Sequence, residues 1–430
     1  MRTVFRPIAV LLLLFSLLIG CGPKAPQAVK VAVFSSDPVL LKIFMDTALE
    51  IEKKHPGLKV QVVNIPYGDY QNKIITEMAG GTAPDIISVE VNNFVEMEMR
   101  GVFEDLTPYA QRDGLDLKAY YPGVLKRFNP GGVLYAIPSD TAPSGLMYYN
   151  KKIFDEVGLP YPTSSWTWPE PFLSICQKLT KRDAAGKIVR WGYADPYGTG
   201  FDGFLLSNGG YYTDSEDHPT RLALDSPEAL EALKFRRDMI HVHHVSPSPP
   251  ELLTYSFGGG AEDMFMNGQV AMMASGIWHT PHLLQKKDLE FDVVEFPMGP
   301  KGTRGCGTGG SGYSICKTSK NKELAWTVLK EITGKDIVTR MAMTGMFQPA
   351  LMEVANSDAF LKSPGPPNKK ILLDMPQYAH YSPFMRGWSE IWNGNVGPAL
   401  DPVWLGTKTP EEVLPALSNE INKKFFSKPE

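Results

Sequence analysis

The stretch from residue 29 to residue 90 constrains the fold most, because it alternates strand and helix with little between them. Val29 to Phe34 is a short apolar run, and Ser35-Ser36-Asp37-Pro38 supplies residues that cap a helix start. Leu40, Ile43, Phe44, Ala48 and Ile51 then fall on one helical face, and Pro56-Gly57 ends it. Leu58 to Ile65 alternates as a second strand, a helix is predicted from about Tyr70 to Ala79 before Gly80-Gly81, and Asp85 to Val89 reads as a third strand. Such a βαβαβ unit requires a parallel sheet with helices on its faces. Ligands of open α/β sheets gather beyond the carboxyl ends of the strands. That rule lines up Ser35-Ser36-Asp37, Pro66-Tyr67-Gly68-Asp69-Tyr70 and Glu90-Val91-Asn92 along one edge.

The rest of the chain is too long for one core. Roughly 400 residues beyond the N-terminal leader imply about two domains. Gly132 to Pro138 forms another strand, and after Ser139-Asp140-Thr141 the chain continues in strand-like fashion through Gly145 to Lys151, as a crossing between lobes would. From Ile153 to about His244 helical patterns dominate, with Ser226-Pro227-Glu228 opening one helix. Val270-Ala271-Met272-Met273, Phe291-Asp292-Val293-Val294 and Tyr313-Ser314-Ile315 are three further strand candidates.

The N-terminus points to export. Arg2 and Arg6 precede an apolar stretch from Ile8 to Ile19, which is too short to span a bilayer. Leu18-Ile19-Gly20-Cys21 resembles a bacterial lipobox. Residues 1–20 are therefore expected to be a lipoprotein signal peptide, Cys21 the lipidated residue, and 21–28 a lipid-anchored linker. This places the protein in the cell envelope, on its periplasmic or extracellular face.

The net charge of −4 becomes −6 when Arg2 and Arg6 leave with the leader, which disfavours nucleic acid and anionic membrane surfaces as partners. Cys176 sits in an apolar helical stretch and reads as a packed hydrophobe. Cys306 and Cys316 flank a Gly-rich turn, and an oxidising exterior permits a disulfide between them.

One family pattern runs through the chain. Its stretches are Gly81-Thr82-Ala83-Pro84-Asp85, Gly101-Val102-Phe103-Glu104-Asp105-Leu106, Leu134-Tyr135-Ala136-Ile137-Pro138, Met147-Tyr148-Tyr149-Asn150-Lys151, Phe265-Met266-Asn267-Gly268, Gly276-Ile277-Trp278 and Asn321-Lys322-Glu323-Leu324-Ala325-Trp326. In this order and spacing they resemble the extracellular solute-binding proteins of the carbohydrate-oriented, maltose-binding-protein-like family that feeds ABC importers. The resemblance implies an α/β fold of the two-lobe periplasmic-binding-protein type (type II), each lobe a mainly parallel sheet flanked by helices, with a ligand cleft between the lobes. Residues 29–139 plus 296–344 would form the N-lobe and 140–295 plus 345–430 the C-lobe. Crossings would fall near Asp140, near Phe296-Pro297 and near Gly345-Met346. A monomer that binds a small carbohydrate and docks on ABC permease subunits is implied, with no cofactor, no metal and no catalysis.

A sugar presents apolar CH faces and a rim of hydroxyls, so its site needs flat aromatic rings and polar groups such as carboxylates. Carried over by position, the resemblance points to Ser36, Asp37, Tyr67, Glu90, Asp140 and Thr141, with Trp278 as the stacking ring. Asp202, Gly310, Ser311, Phe347, Arg386 and Trp388 complete the candidates. The acidic bias favours a neutral polyhydroxyl ligand, with a cationic one still open. The competing readings are an exported glycoside hydrolase using two of these carboxylates and a receptor serving a signalling system. His241-Val242-His243-His244 lacks the partners of a zinc site. The glycines from Gly305 to Gly312 lack a P-loop ending.

Overall fold

The computed structural model describes residues 27–35, 37–195, 201–254 and 260–426. The expected leader, the lipidation residue Cys21 and the candidate Ser36 lie outside them.

The first α/β unit forms as its pattern requires. Strands Gln27–Val33, Leu58–Asn64 and Ile86–Glu90 pair in parallel, with Gln27–Val33 in the middle. Helix Pro38–Lys54 buries Leu40, Phe44, Ala48 and Ile51 against them. Asp37 starts that helix: its carboxylate accepts from the Val39 and Leu40 N–H groups at 2.7 and 3.0 Å, and Pro38 takes the first turn. Helix Tyr67–Ala79 begins three residues earlier than expected. Two later strands, Ser311–Ile315 and Ile137–Pro138, complete a five-stranded N-lobe sheet: Ser311–Ile315, which returns to the lobe from the strand Cys306–Gly309, pairs antiparallel with both Ile86–Glu90 and Ile137–Pro138.

The C-lobe sheet runs Phe291–Glu295, Leu146–Asn150, Val270–Ser275, Ile188–Ala194 and Lys181–Arg182. The expectation of mainly parallel sheets is corrected here: Val270–Ser275 with Ile188–Ala194 is its one parallel pair among the described residues. Side chains alternate across this sheet. Leu146 and Tyr148 join one core, Met147 and Tyr149 the other, where they meet the C-terminal helices through Ile391, Leu400, Trp404 and Leu414.

A third, four-stranded sheet lies between the lobes, in the order Gln348–Pro349, Asp140–Pro143, Cys306–Gly309, Ala379–His380. Asp140–Pro143 enters this sheet directly after the N-lobe strand Ile137–Pro138. The second strand comes about ten residues past Phe296, because Phe296 packs edge-on against Phe204 and the chain stays beside residues 206–208 through Gly305. Residues 352–361 remain on the N-lobe, against helix Lys335–Ala342. The chain reaches the C-lobe at Asn368, whose N–H donates to Asp292 Oδ1 at 2.8 Å.

The disulfide is also corrected, since Cys306 and Cys316 are both free and buried. The chain between them runs through two strands separated by Gly310. At about 3.3 Å per residue this course carries the thiols beyond the roughly 7 Å Cα limit of a bridge. Cys176 is buried, as expected of a packed residue. Among the described residues no helix is long and apolar enough to cross a membrane.

Candidate functional site

A cavity of about 1150 Å³ opens between the lobes at the carboxyl ends of the N-lobe strands. It is lined by Asp37, Tyr67, Glu90, Asp140, Thr141, Asp202, Trp278, Gly310, Ser311 and Phe347, so the structure brings ten of the thirteen expected residues together. Ser36 lies outside the described residues. Arg386 and Trp388 are not at the cavity: Arg386 is exposed, and Trp388 packs against Tyr212 and Trp392 in the C-lobe.

From the N-lobe and the small sheet come two carboxyl groups set around Ser311. Strand register places Ser311 opposite Glu90, while the Ser311 N–H donates to Asp140 Oδ1 at 3.1 Å and its hydroxyl donates to the other oxygen. Asn92 Nδ2 donates to Glu90 Oε1 at 2.6 Å, and the Tyr67 hydroxyl donates to Oε2 at 3.4 Å. Burial pushes Glu90 up to about 7 and Asp140 up to about 6, because desolvation outweighs these hydrogen bonds. Two glycines leave the space open. A Cβ on Gly310 would come within 2.7 Å of the Asp140 carbonyl oxygen, and one on Gly309 within 3.3 Å of Glu90 Oε1.

The C-lobe supplies the aromatic wall. Trp278 follows strand Val270–Ser275, and its ring lies directly over Gly276, where a Cβ would meet ring atoms at 1.8 to 2.3 Å. Glycine at 276 is therefore what lets the indole lie flat there. Near it, Glu262 accepts from His279 Nδ1 at 2.8 Å and His282 Nδ1 at 2.9 Å. Burial opposes ionisation of Glu262, but the two imidazoles hold its carboxyl below the usual range. Deeper in the lobe, Asp195 pairs with the fully buried Arg236 at 3.0 Å. Asp202, hydrogen-bonded to Tyr212, is pushed up to about 6, again chiefly by burial.

Sequence reasoning missed Tyr193, Asp195, Tyr212, Glu262, His279 and Asn92 at this cavity. Asn92 stood in the aligned edge Glu90-Val91-Asn92, which was signal enough to find it.

Residues 37–338 match the family described as bacterial extracellular solute-binding protein. The chain belongs to that family. A putative binding protein of Brucella abortus is 26% identical over 383 residues, covering 86% of this chain and 87% of the relative. An arabinooligosaccharide-binding protein of Bacillus subtilis is 25% identical, covering 96% of this chain and 98% of the relative. Among solved structures, an ABC substrate-binding protein from Listeria monocytogenes in complex with cycloalternan matches with a TM-score of 0.81 and 27% identity, over 94% of this chain and 100% of that one. A maltose-bound protein of T. maritima matches in fold with a TM-score of 0.77 at 23% identity, over 93% and 100%. The two-lobe α/β architecture of this solute-binding protein is therefore that of its structural neighbours.

Proposed function

We propose that this solute-binding protein captures a carbohydrate, an oligosaccharide or a related polyol, between its lobes and delivers it to the permease subunits of an ABC importer. The observation that carries the reading is the cavity itself, where carboxyl groups from one lobe face an exposed-edge tryptophan from the other. Carboxylates and amides such as Glu90, Asp140 and Asn92 suit vicinal hydroxyls, and Trp278 suits the CH face of a sugar ring. A ligand touching both walls favours the closed arrangement and shifts the population toward it. The permease would then reopen the lobes. Similarity to oligosaccharide-binding relatives supports the ligand class.

In this reading Cys21 carries the lipid that keeps the protein near the importer, and the molecule acts as a monomer without catalysis. Asp140 is held by Ser311 and Asp202 by Tyr212, which suits binding better than proton transfer to a scissile bond. A thermal-shift screen of mono- and oligosaccharides tests the proposal, since a ligand that binds only the native state raises the melting temperature. Stabilisation by at least one saccharide is expected. A flat response to all of them, with no turnover of any, would remove the carbohydrate.

A further inference from the structure

Among the described residues lining the cavity there is no lysine or arginine, and segments 196–200 and 255–259 contain none by sequence. Six carboxyl groups of the described residues line it. Three are answered locally: Asp37 caps a helix, Asp195 faces Arg236, and Glu262 holds two imidazoles. The other three, Glu90, Asp140 and Asp202, accept hydrogen bonds from neutral groups: Asn92 and Tyr67, Ser311, and Tyr212. A buried carboxylate without a cation is costly.

A neutral sugar hydroxyl would satisfy acceptors but supply no charge to favour their ionised form. An ammonium brings three N–H donors and the missing positive charge together. We propose that the cleft takes an amine-bearing carbohydrate, whose protonated nitrogen sits between Glu90 and Asp140 beside Ser311. Trp278 then covers the apolar face of the same or the neighbouring ring. This rests on the carbohydrate reading above and narrows it.

The test is calorimetric titration of the full chain with matched pairs of sugars. Oligomers of two to four β-1,4-linked units would be compared with a hydroxyl, an acetamido group or a free amine at the second ring position. An α-linked pair, maltotetraose against acarbose with its secondary amine, covers the other linkage. The amine-bearing member of a pair is expected to bind at least about tenfold tighter, which is about 1.4 kcal/mol. Its affinity should also fall more steeply with added salt. Glu90→Gln, or Asp140→Asn if the first variant folds poorly, should shrink that ratio toward unity. A neutral member that binds as well as its amine partner overturns the proposal and leaves the carbohydrate reading standing. An unchanged ratio in a folded Glu90→Gln or Asp140→Asn variant overturns the assigned position of the amine. Failure of every sugar to bind overturns both readings.

Discussion

The two walls of the cleft handle charge in opposite ways. On the C-lobe, Asp195 pairs with Arg236 and Glu262 accepts from two imidazoles, all within the lobe, while Asp202 has only the neutral Tyr212 hydroxyl. On the N-lobe and the small sheet, Glu90 and Asp140 lean on amide and hydroxyl donors and stay partly protonated because burial raises them. Asp202 apart, one wall is electrostatically finished within its own lobe, and the other is left open to be completed by a ligand. A solute that must be held and then released fits this division, since the incomplete wall gains partners only when the guest is present.

The largest effect should come from breaking the finished wall. Arg236→Met would leave Asp195 buried without its cation, and removing one partner of such a pair typically costs about 3–5 kcal/mol. Urea unfolding of the ligand-free variant should show a loss of that order. A loss below about 1 kcal/mol would mean that Asp195 finds water at the cavity floor, and the contrast between the walls would weaken.

Next in size is the aromatic surface. Trp278→Ala should lower saccharide affinity by about tenfold or more, roughly 1.5 kcal/mol, through lost ring contact. Gly276→Ala should do nearly the same with Trp278 still present, because the new methyl occupies the space of the indole ring. Both variants should unfold close to the parent temperature, since Trp278 is only half-buried. Calorimetric affinities equal to the parent's in both would take the indole out of the site.

Glu90 and Glu262, on opposite walls, should also respond to pH with opposite sign. Glu90 has a folded-state value near 7, above its ordinary one, so the native state holds the proton more tightly than the unfolded chain. Its contribution to stability is complete below about pH 4 and is lost as pH rises through 7. Glu262 is held below its ordinary value, so its contribution is present above that value and is lost as pH falls. Melting curves from acid to mildly alkaline pH should therefore flatten at the alkaline end in Glu90→Gln and at the acid end in Glu262→Gln. Matching changes at the same end would contradict the opposed roles.

How much of this was legible depended on whether a residue's environment was local. The first α/β unit could be read because each of its elements carries its own period and its own stop. Glu90 and Asp140 followed from strand ends and from the resemblance. Strand Ile188–Ala194 was hidden, although it brings Tyr193 and Asp195 to the cavity. Arg190 and Gly192 interrupt its apolar run, and only tertiary contacts explain them. Arg190 is buried with its guanidinium on the Leu179 carbonyl at 2.9 Å and on Glu156 at 2.6 Å, and a Cβ at Gly192 would collide with the Cys176 carbonyl oxygen at 2.2 Å. Such partners, eleven to thirty-four residues away, leave no periodic trace. The same limit applies to the path after Phe296, where the ring packs on Phe204 and the chain enters the small sheet only at Cys306.

The smallest expected effect concerns the cysteines and bears on the sheet between the walls. Cys306 begins a strand of that sheet and packs against Gly145, where an added Cβ would meet its Cβ at 2.6 Å. Cys316 ends the N-lobe strand at the far side, with its N–H on the Asp85 carbonyl at 2.9 Å. A bridge joining them would close a short loop and contribute about 3 kcal/mol, while tying the small sheet to the N-lobe. With both thiols free, a reductant should move the unfolding midpoint by less than about 0.5 kcal/mol equivalent. A larger destabilisation in reductant, abolished by Cys316→Ala, would show that the strand Cys306–Gly309 is stapled to one wall, and that the small sheet is not the independent joint on which opening and closing depend.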